Sequence, residues 1–320
     1  MNKPIVVVGS INIDLVARVE RLPVLGETIS GLSFQTYSGG KGANQAVALA
    51  CLGAPVNMIG RLGDDIFAAR LRSELEEKGV DVRQVANVTG SSGTAVIATT
   101  VAGDNSIVVI PGANEKLAPE DIDLCRETIE NACMVLAQLE IPIATNCYLA
   151  EICRSAGVPF MLDPAPAVPL PAELLQSVTW LTPNQSEAQI LLGLEASIRP
   201  GAAEEVIQRL LELGVGNVAL KLGADGVFLA GKDVSAIHVP AFSVDAVDST
   251  AAGDAFNGAF AYALTVRQMR PRDAAEFACA VAALSVTKHG AQSSMPTLRE
   301  VEAFLAQRFD ERQRFVATPQ

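Results

Sequence analysis

The chain has 320 residues, 49% of them apolar, with 24 basic against 36 acidic side chains and a formal charge of −12. That length is about twice a typical single domain, a size that α/β folds reach as one unit. No apolar stretch approaches the roughly 20 residues of a membrane span, and no Lys/Arg run offers the basic surface that nucleic-acid binding needs.

In chain order, short apolar runs bounded by Gly, Pro or Asn alternate with helical stretches. PIVVVG (4–9) reads as a buried strand and ANQAVALACLG (43–53) as a small-residue helix; VNMIG (56–60) precedes the amphipathic DDIFAARLRSELEEKG (64–79). MVLAQL (134–139), PFMLD (159–163), VTWLT (178–182) and NVALKLG (217–223) continue the series. Strands that are apolar throughout and alternate with helices predict a three-layer α/β fold, a mostly parallel sheet covered by helices on both faces. Segments 14–38 and 93–112 break this rhythm. Their partial apolar/polar alternation predicts hairpins exposed on one face, a small antiparallel β lid on the α/β body. Helices are expected at 252–268, 271–288 and 297–309, giving one domain over about 1–310 and a loose tail at 311–320.

The apolar run at the N-terminus is too short for a secretory signal, so a cytoplasmic protein is expected. The six cysteines are scattered with no C-x-x-C pair, which suits small buried hydrophobes better than a disulfide framework. The two histidines, His238 and His289, lie far apart. A His-based zinc site or a Ser-His-Asp triad is correspondingly disfavoured.

The strongest chemical signal is DSTAAGDAFNGA (248–259). Small residues Ala251, Ala252 and Gly253 at a helix start leave consecutive backbone N–H groups open near the positive end of the helix dipole. Such a nest can hold a phosphoryl group as charge spreads over its oxygens, and Asp254 in the same turn can take the proton of an attacking hydroxyl. On these residues alone, a capped and closely packed helix is an equal alternative. GGKGAN (39–44) is not a P-loop, because Lys41 is followed by Gly42 rather than Ser or Thr. As a sugar site it fits better: glycines admit a ligand close to the backbone, and Asn44 offers both a donor and an acceptor. Asn12 and Asp14 follow the first strand, where α/β sheets bind ligands.

Together, GSINID (9–14), YSGGKGANQAVA (37–48), GRLGDD (60–65), TPNQSEA (182–188), DSTAAGDAFNG (248–258) and KHGAQSSMP (288–296) resemble the landmarks of the ribokinase-like carbohydrate kinases, in the same order. The resemblance spans about residues 4–309. It implies an ATP-dependent sugar kinase whose expected substrate is D-ribose, phosphorylated at O5, with Asp254 as base and the 251–254 backbone as anion hole. It further implies that Asn12, Asp14, Gly40, Lys41, Asn44 and Glu140 contact the sugar, with Lys41 helping to neutralise the phosphate. Asn184 and Glu187 match the family's N-x-x-E motif, Glu187 ordering magnesium through water; capping of a helix by Asn184 is compatible with this.

KLGADG (221–226) resembles the family's nucleotide turn, with Gly223 and Gly226 close to adenine or ribose. Lys221 stands where a small hydroxyl residue is common, and Cys279 where His or Asn is expected near the adenine. Asp248, Thr250, Ser285, Lys288, Gly290 and Ser294 match positions around a potassium ion, held mostly by backbone carbonyls. A homodimer through the lid is also implied. Other readings are a family kinase acting on deoxyribose, fructose, a ketodeoxy acid or a nucleoside, and a noncatalytic sugar sensor. A dinucleotide oxidoreductase is disfavoured because GSINID lacks G-x-G-x-x-G.

Overall fold

The computed structural model describes residues 3–194, 202–232 and 234–316. Its strands are β1 (Ile5–Val8), β2 (Asn12–Val19), β3 (Ser33–Gly39), β4 (Val56–Leu62), β5 (Asp81–Asn87), β6 (Gly93–Thr100), β7 (Asn105–Ile110), β8 (Met134–Gln138), β9 (Phe160–Asp163), β10 (Trp180–Leu181), β11 (Asn217–Lys221), β12 (Val227–Gly231) and β13 (Val234–Val239). The α-helices are α1 (Lys41–Cys51), α2 (Ala68–Glu77), α3 (Pro119–Leu124), α4 (Arg126–Glu130), α5 (Ile143–Ala156), α6 (Ala172–Leu175), α7 (Gln185–Leu191), α8 (Ala203–Glu212), α9 (Ala252–Thr265), α10 (Pro271–Ser285) and α11 (Leu298–Val316).

Nine strands form one sheet in the order β13-β12-β11-β10-β9-β8-β1-β4-β5, parallel except for the β11-β12-β13 edge. Alternation along β1 shows why its apolar run is uninterrupted. Ile5 and Val7 enter the core formed with α1, α2, α9 and α10, while Val6 and Val8 enter the core on the opposite face with α5 and α8. A strand buried on both faces has no position left for a polar residue. Strands β5, β12 and β13 were not foreseen: β5 and β13, at the two edges, are only partly buried and mix polar with apolar residues, while β12 is a five-residue run inside the β13 edge.

The second sheet, β3-β2-β6-β7, is the expected lid. Its two hairpins are antiparallel, and they are joined by one parallel pairing between β2 and β6. Helix α11 continues past the expected end near 309 to Val316, and the last four residues of the expected tail lie outside the described residues. Among the described residues no helix is long and apolar enough to cross a membrane.

Strand β1 lies between β8 and β4 and is parallel to both. From β1 the chain builds outward one way to β4 and β5, then returns to build the other way from β8. This reversal opens a crevice beyond the carboxyl ends of β1 and β8, where open α/β sheets bind ligands. Helices α1 and α9 meet beside that crevice at Gly258. A Cβ there would lie 2.8 Å from the Ala48 Cβ and 3.0 Å from the Gln45 carbonyl oxygen. Gly258→Val is therefore expected to push the helices apart and to cost about 1–3 kcal/mol of stability, measured by urea unfolding. An unchanged unfolding midpoint would contradict this contact.

Candidate active site

Helix α9 opens on a strained residue: Ala251, its N-cap, holds a left-handed φ of 59°. A non-glycine residue in that region costs about 1 kcal/mol or more. The turn directs the Ala252 amide to the Ser249 carbonyl (3.2 Å) and the Ala255 amide to the Ala251 carbonyl (2.8 Å). Between them, the amides of Gly253 and Asp254 have no preceding carbonyl within the helix. The helix start thus presents the donors that an anion hole requires.

Asp254 is 5% exposed, and two side-chain amides from α1 satisfy its carboxylate. Asn44 Nδ2 donates to Oδ2 at 3.0 Å and Gln45 Nε2 to Oδ1 at 3.1 Å. Burial pushes its pKa up to about 6; the Lys41 charge opposes the rise and the Asp163 charge adds to it. The Lys41 ammonium is itself pulled down by burial, but Asp254, Asp163, Glu140 and Glu187 outweigh that and hold it above its ordinary value. It stays charged within an acidic cluster.

The expected sugar contacts gather at the crevice. The Lys41 amide donates to Glu140 Oε2 at 3.2 Å, and the Ser10 hydroxyl donates to the same oxygen. Gly40, with φ of 89°, lies so close to the first strand's exit that a Cβ would meet the Asn12 nitrogen at 2.8 Å. Gly39 lies against the Asp14 carboxylate in the same way. Asp14 is pushed up to about 6 by burial and then by the charge of Glu140. Asn12 Oδ1 accepts from Asn114 Nδ2 at 2.7 Å. Asn44 Oδ1, buried beside Asp254, has no partner among the described residues. A buried acceptor in that position suits a ligand hydroxyl.

On the other side of Asp254, Asn184 caps α7 in a reciprocal box with Glu187. The Glu187 amide donates to Asn184 Oδ1 (2.9 Å), while the Asn184 amide donates to Glu187 Oε2 (2.7 Å) and its Nδ2 to Oε1 (2.8 Å). Burial raises the pKa of Glu187, Lys221 lowers it and Asp163 raises it further. Lys221 ends β11 and bonds through Nζ to Asp163 Oδ1 at 2.9 Å. A Cβ on Gly253 would lie 3.4 Å from that Nζ, so Lys221 reaches the head of α9 rather than only the turn that follows it.

Gly223 has a φ of 60° with open space around its Cα. Gly226 is required by its own chain, since a Cβ would lie 2.2 Å from the Val239 carbonyl oxygen. Cys279 is buried in α10, its thiol pushed up to about 12 by burial.

The six expected potassium positions lie in the loop before α9 and in the end of α10 with the segment after it, which are tied together. The Val247 and Asp248 amides both donate to the Val286 carbonyl (2.7 and 3.1 Å), and the Gly290 amide donates to Asp248 Oδ2 at 2.9 Å. Burial raises the Asp248 pKa, but bonds from the Thr250 hydroxyl and from the Gly290 and Thr250 amides leave it below the ordinary value. Ser285 and Ser294 are buried, their hydroxyls donating to the Ala282 and Ala291 carbonyls at 2.8 Å each. Lys288 turns its ammonium to Glu300 at 2.7 Å, which leaves its carbonyl as the atom to offer a cation.

Gln45, Asp163, Gln138 and Ser10 were missed by sequence reasoning. The available signal was polarity at the carboxyl end of buried strands: Gln138 ends β8 and Asp163 ends β9, both fully buried.

A model of the pfkB family of carbohydrate kinases matches residues 2–298. The chain belongs to this family. It is 43% identical to a ribokinase of Bacillus subtilis (strain 168), over 94% of this chain and 99% of the relative. It is 37% identical to a deoxyribokinase of Salmonella typhi, over 94% and 98%. A solved structure of Arabidopsis thaliana ribokinase complexed with ribose and ATP superposes with a TM-score of 0.88 at 37% identity, covering 95% of this chain and 99% of that one. If Asp254 is the proton acceptor that the resemblance implies, kcat is expected to fall as pH drops through about 6, where burial places this carboxyl's pKa. An ordinary aspartate would place that loss near pH 4. Measuring kcat at saturating sugar keeps the nearby titration of Asp14 out of the profile through binding. A plateau extending well below pH 5 would contradict the assignment.

Proposed function

We propose that the protein is a ribokinase, transferring the γ-phosphoryl group of ATP to O5 of D-ribose to give D-ribose 5-phosphate and ADP. The observation that carries this reading is Asp254, a buried carboxylate held by two α1 amides at the head of α9. Asp254 takes the O5 proton while the O5–phosphorus bond forms. The bond from the γ-phosphorus to the β–γ bridging oxygen breaks, and ADP leaves with its electron pair. The Gly253 and Asp254 amides, with that of Ala251, take up the charge that spreads over the phosphoryl oxygens, whereas the expected Ala252 amide is already directed to the Ser249 carbonyl. Lys41 adds a positive charge between sugar and phosphate. Asn12, Asp14, Gly40, Asn44 and Glu140 orient the ribose; Gly223 lines the nucleotide side.

Magnesium on the ATP phosphates would be ordered by Asn184 and Glu187 through its water shell, supplying charge neutralisation. Both Glu187 oxygens already accept from Asn184, an arrangement that suits waters better than a bare ion. Potassium fits the loops holding Asp248, Thr250, Ser285, Lys288, Gly290 and Ser294, where one ionised carboxylate sits among backbone carbonyls. Six unpaired cysteines fit work in the reducing cytoplasm.

A panel of pentoses, hexoses and nucleosides, assayed for ADP release with and without potassium, tests the substrate. Ribose is expected to be preferred; a better rate with deoxyribose or a hexose would overturn that choice. Asp254→Asn is expected to keep ribose affinity within about twofold and to lose about 10²–10⁴ in kcat. Near-normal turnover would remove Asp254 as the base.

A homodimer would cover the lid, whose strands expose Phe34, Val96, Ile107, Val108 and Ile110. An open sheet edge with apolar side chains invites such pairing. Light scattering is expected to give twice the chain mass, and Val108→Asp to shift it to the monomer. A monomeric parent would refute this.

A further inference from the structure

Asp163 sits at the carboxyl end of β9, 2% exposed, and both of its oxygens are used inside the site. Oδ1 accepts from Lys221 Nζ at 2.9 Å, and Oδ2 accepts from Gln45 Nε2 at 3.2 Å. The same Gln45 nitrogen donates to Asp254 Oδ1 at 3.1 Å. Gln45 cannot turn over freely, because its Oε1 accepts from Gln138 Nε2 at 2.8 Å. Lys221 in turn ends beside the Cα of Gly253. A continuous chain of bonds therefore runs Gln138, Gln45, Asp163, Lys221, with the base attached to its middle and the phosphate nest at its end.

We propose that Asp163 is a positioning residue for the transfer: it holds the Lys221 ammonium at the edge of the α9 nest, against the phosphate chain, and aligns Gln45 on Asp254. The alternative for a buried ion pair is a structural tie between β9 and β11. Three features favour a catalytic alignment. Lys221 keeps two further N–H donors beyond the one given to Asp163, and it lies next to first-turn amides that lack carbonyl partners. Asp163 shares its Gln45 donor with the base instead of satisfying itself separately. The local charges also place Asp163 inside the cluster: Lys41 and Asp163 act on both Asp254 and Glu187, Lys221 acts on Glu187, and Glu140 acts on Asp14. Removing the Asp163 charge takes away one of the influences that raise Asp254.

The proposal rests on the phosphotransferase reading but not on the identity of the sugar, so kinetics are run with whichever sugar the parent enzyme phosphorylates. A parent that phosphorylates none would sink that reading. Asp163→Asn preserves shape and removes the charge. It is expected to lower kcat about tenfold to a hundredfold, the scale of one charge-assisted contact, with sugar KM within about twofold. The acid limb of kcat is expected to move to lower pH. Lys221→Met is expected to weaken ADP binding by at least about tenfold while leaving adenosine binding unchanged.

Because Lys221→Met strands a buried charge, the Lys221→Met/Asp163→Asn double variant is measured beside it and is expected to show the same selective loss for ADP. Unchanged kcat and pH profile in Asp163→Asn would overturn the proposal. So would equal losses for ADP and adenosine in the double variant, or a fall in sugar affinity and melting temperature that matches the loss of kcat. Any of these would leave the pair a structural tie.

Discussion

The carboxylate of Asp254 is withdrawn from water, and the rest of the site is arranged around that constraint. A buried carboxylate is costly unless its oxygens are hydrogen-bonded. Here the donors are the side-chain amides of two consecutive residues, Asn44 and Gln45, on a different helix. They can reach it only because α1 and α9 approach closely at Gly258 and Ala48. The helix contact, the orientation of the base and its raised pKa are thus one physical arrangement. Loosening any part would let water in and return Asp254 towards an ordinary aspartate.

The neighbouring charges divide the site into two halves. On the sugar side, Asp14 and Glu140 stand with Lys41, and the Ser10 hydroxyl and Lys41 amide fix Glu140. On the phosphate side, Asp163 pairs with Lys221 near the capped Glu187. Lys41 feels acidic groups from both halves, which keeps it protonated despite burial. A protein with a net charge of −12 can accept polyanionic ATP because the positive groups and open backbone amides are local, and overall charge matters less than the field within the crevice.

The placement of this site follows from the sheet. The reversal of strand order about β1 brings Ser10 and Asn12 from one half beside Glu140 from the other. The lid then grows from the same exit, since β2 begins at Asn12. The proposed sugar contacts Asn12 and Asp14 thus share a strand with the lid.

Much of this was legible in the chain itself. The doubly buried strands could be read from their uninterrupted apolar runs, and the lid from its alternation. The α9 nest was readable because small residues before Asp254 are a local feature of helix starts. The apolar runs of β1 and β8 were therefore anticipated, whereas the edge strands β5 and β13 and the adjoining β12 were not. At a sheet edge the pairing partner, rather than the residue pattern, decides the strand. The capping box of Asn184 and Glu187 was likewise open to local reasoning. What only the tertiary structure decided was who satisfies whom. Gln45, Gln138 and Asp163 are separated by long stretches of chain, and nothing in their local sequence distinguishes a polar residue in the core from one bound to the base. Lys221 reads locally as part of a nucleotide turn, yet its ammonium lies beside Gly253. Hydrogen bonds between distant segments depend on how helices and strands pack, and that packing is a property of the whole chain.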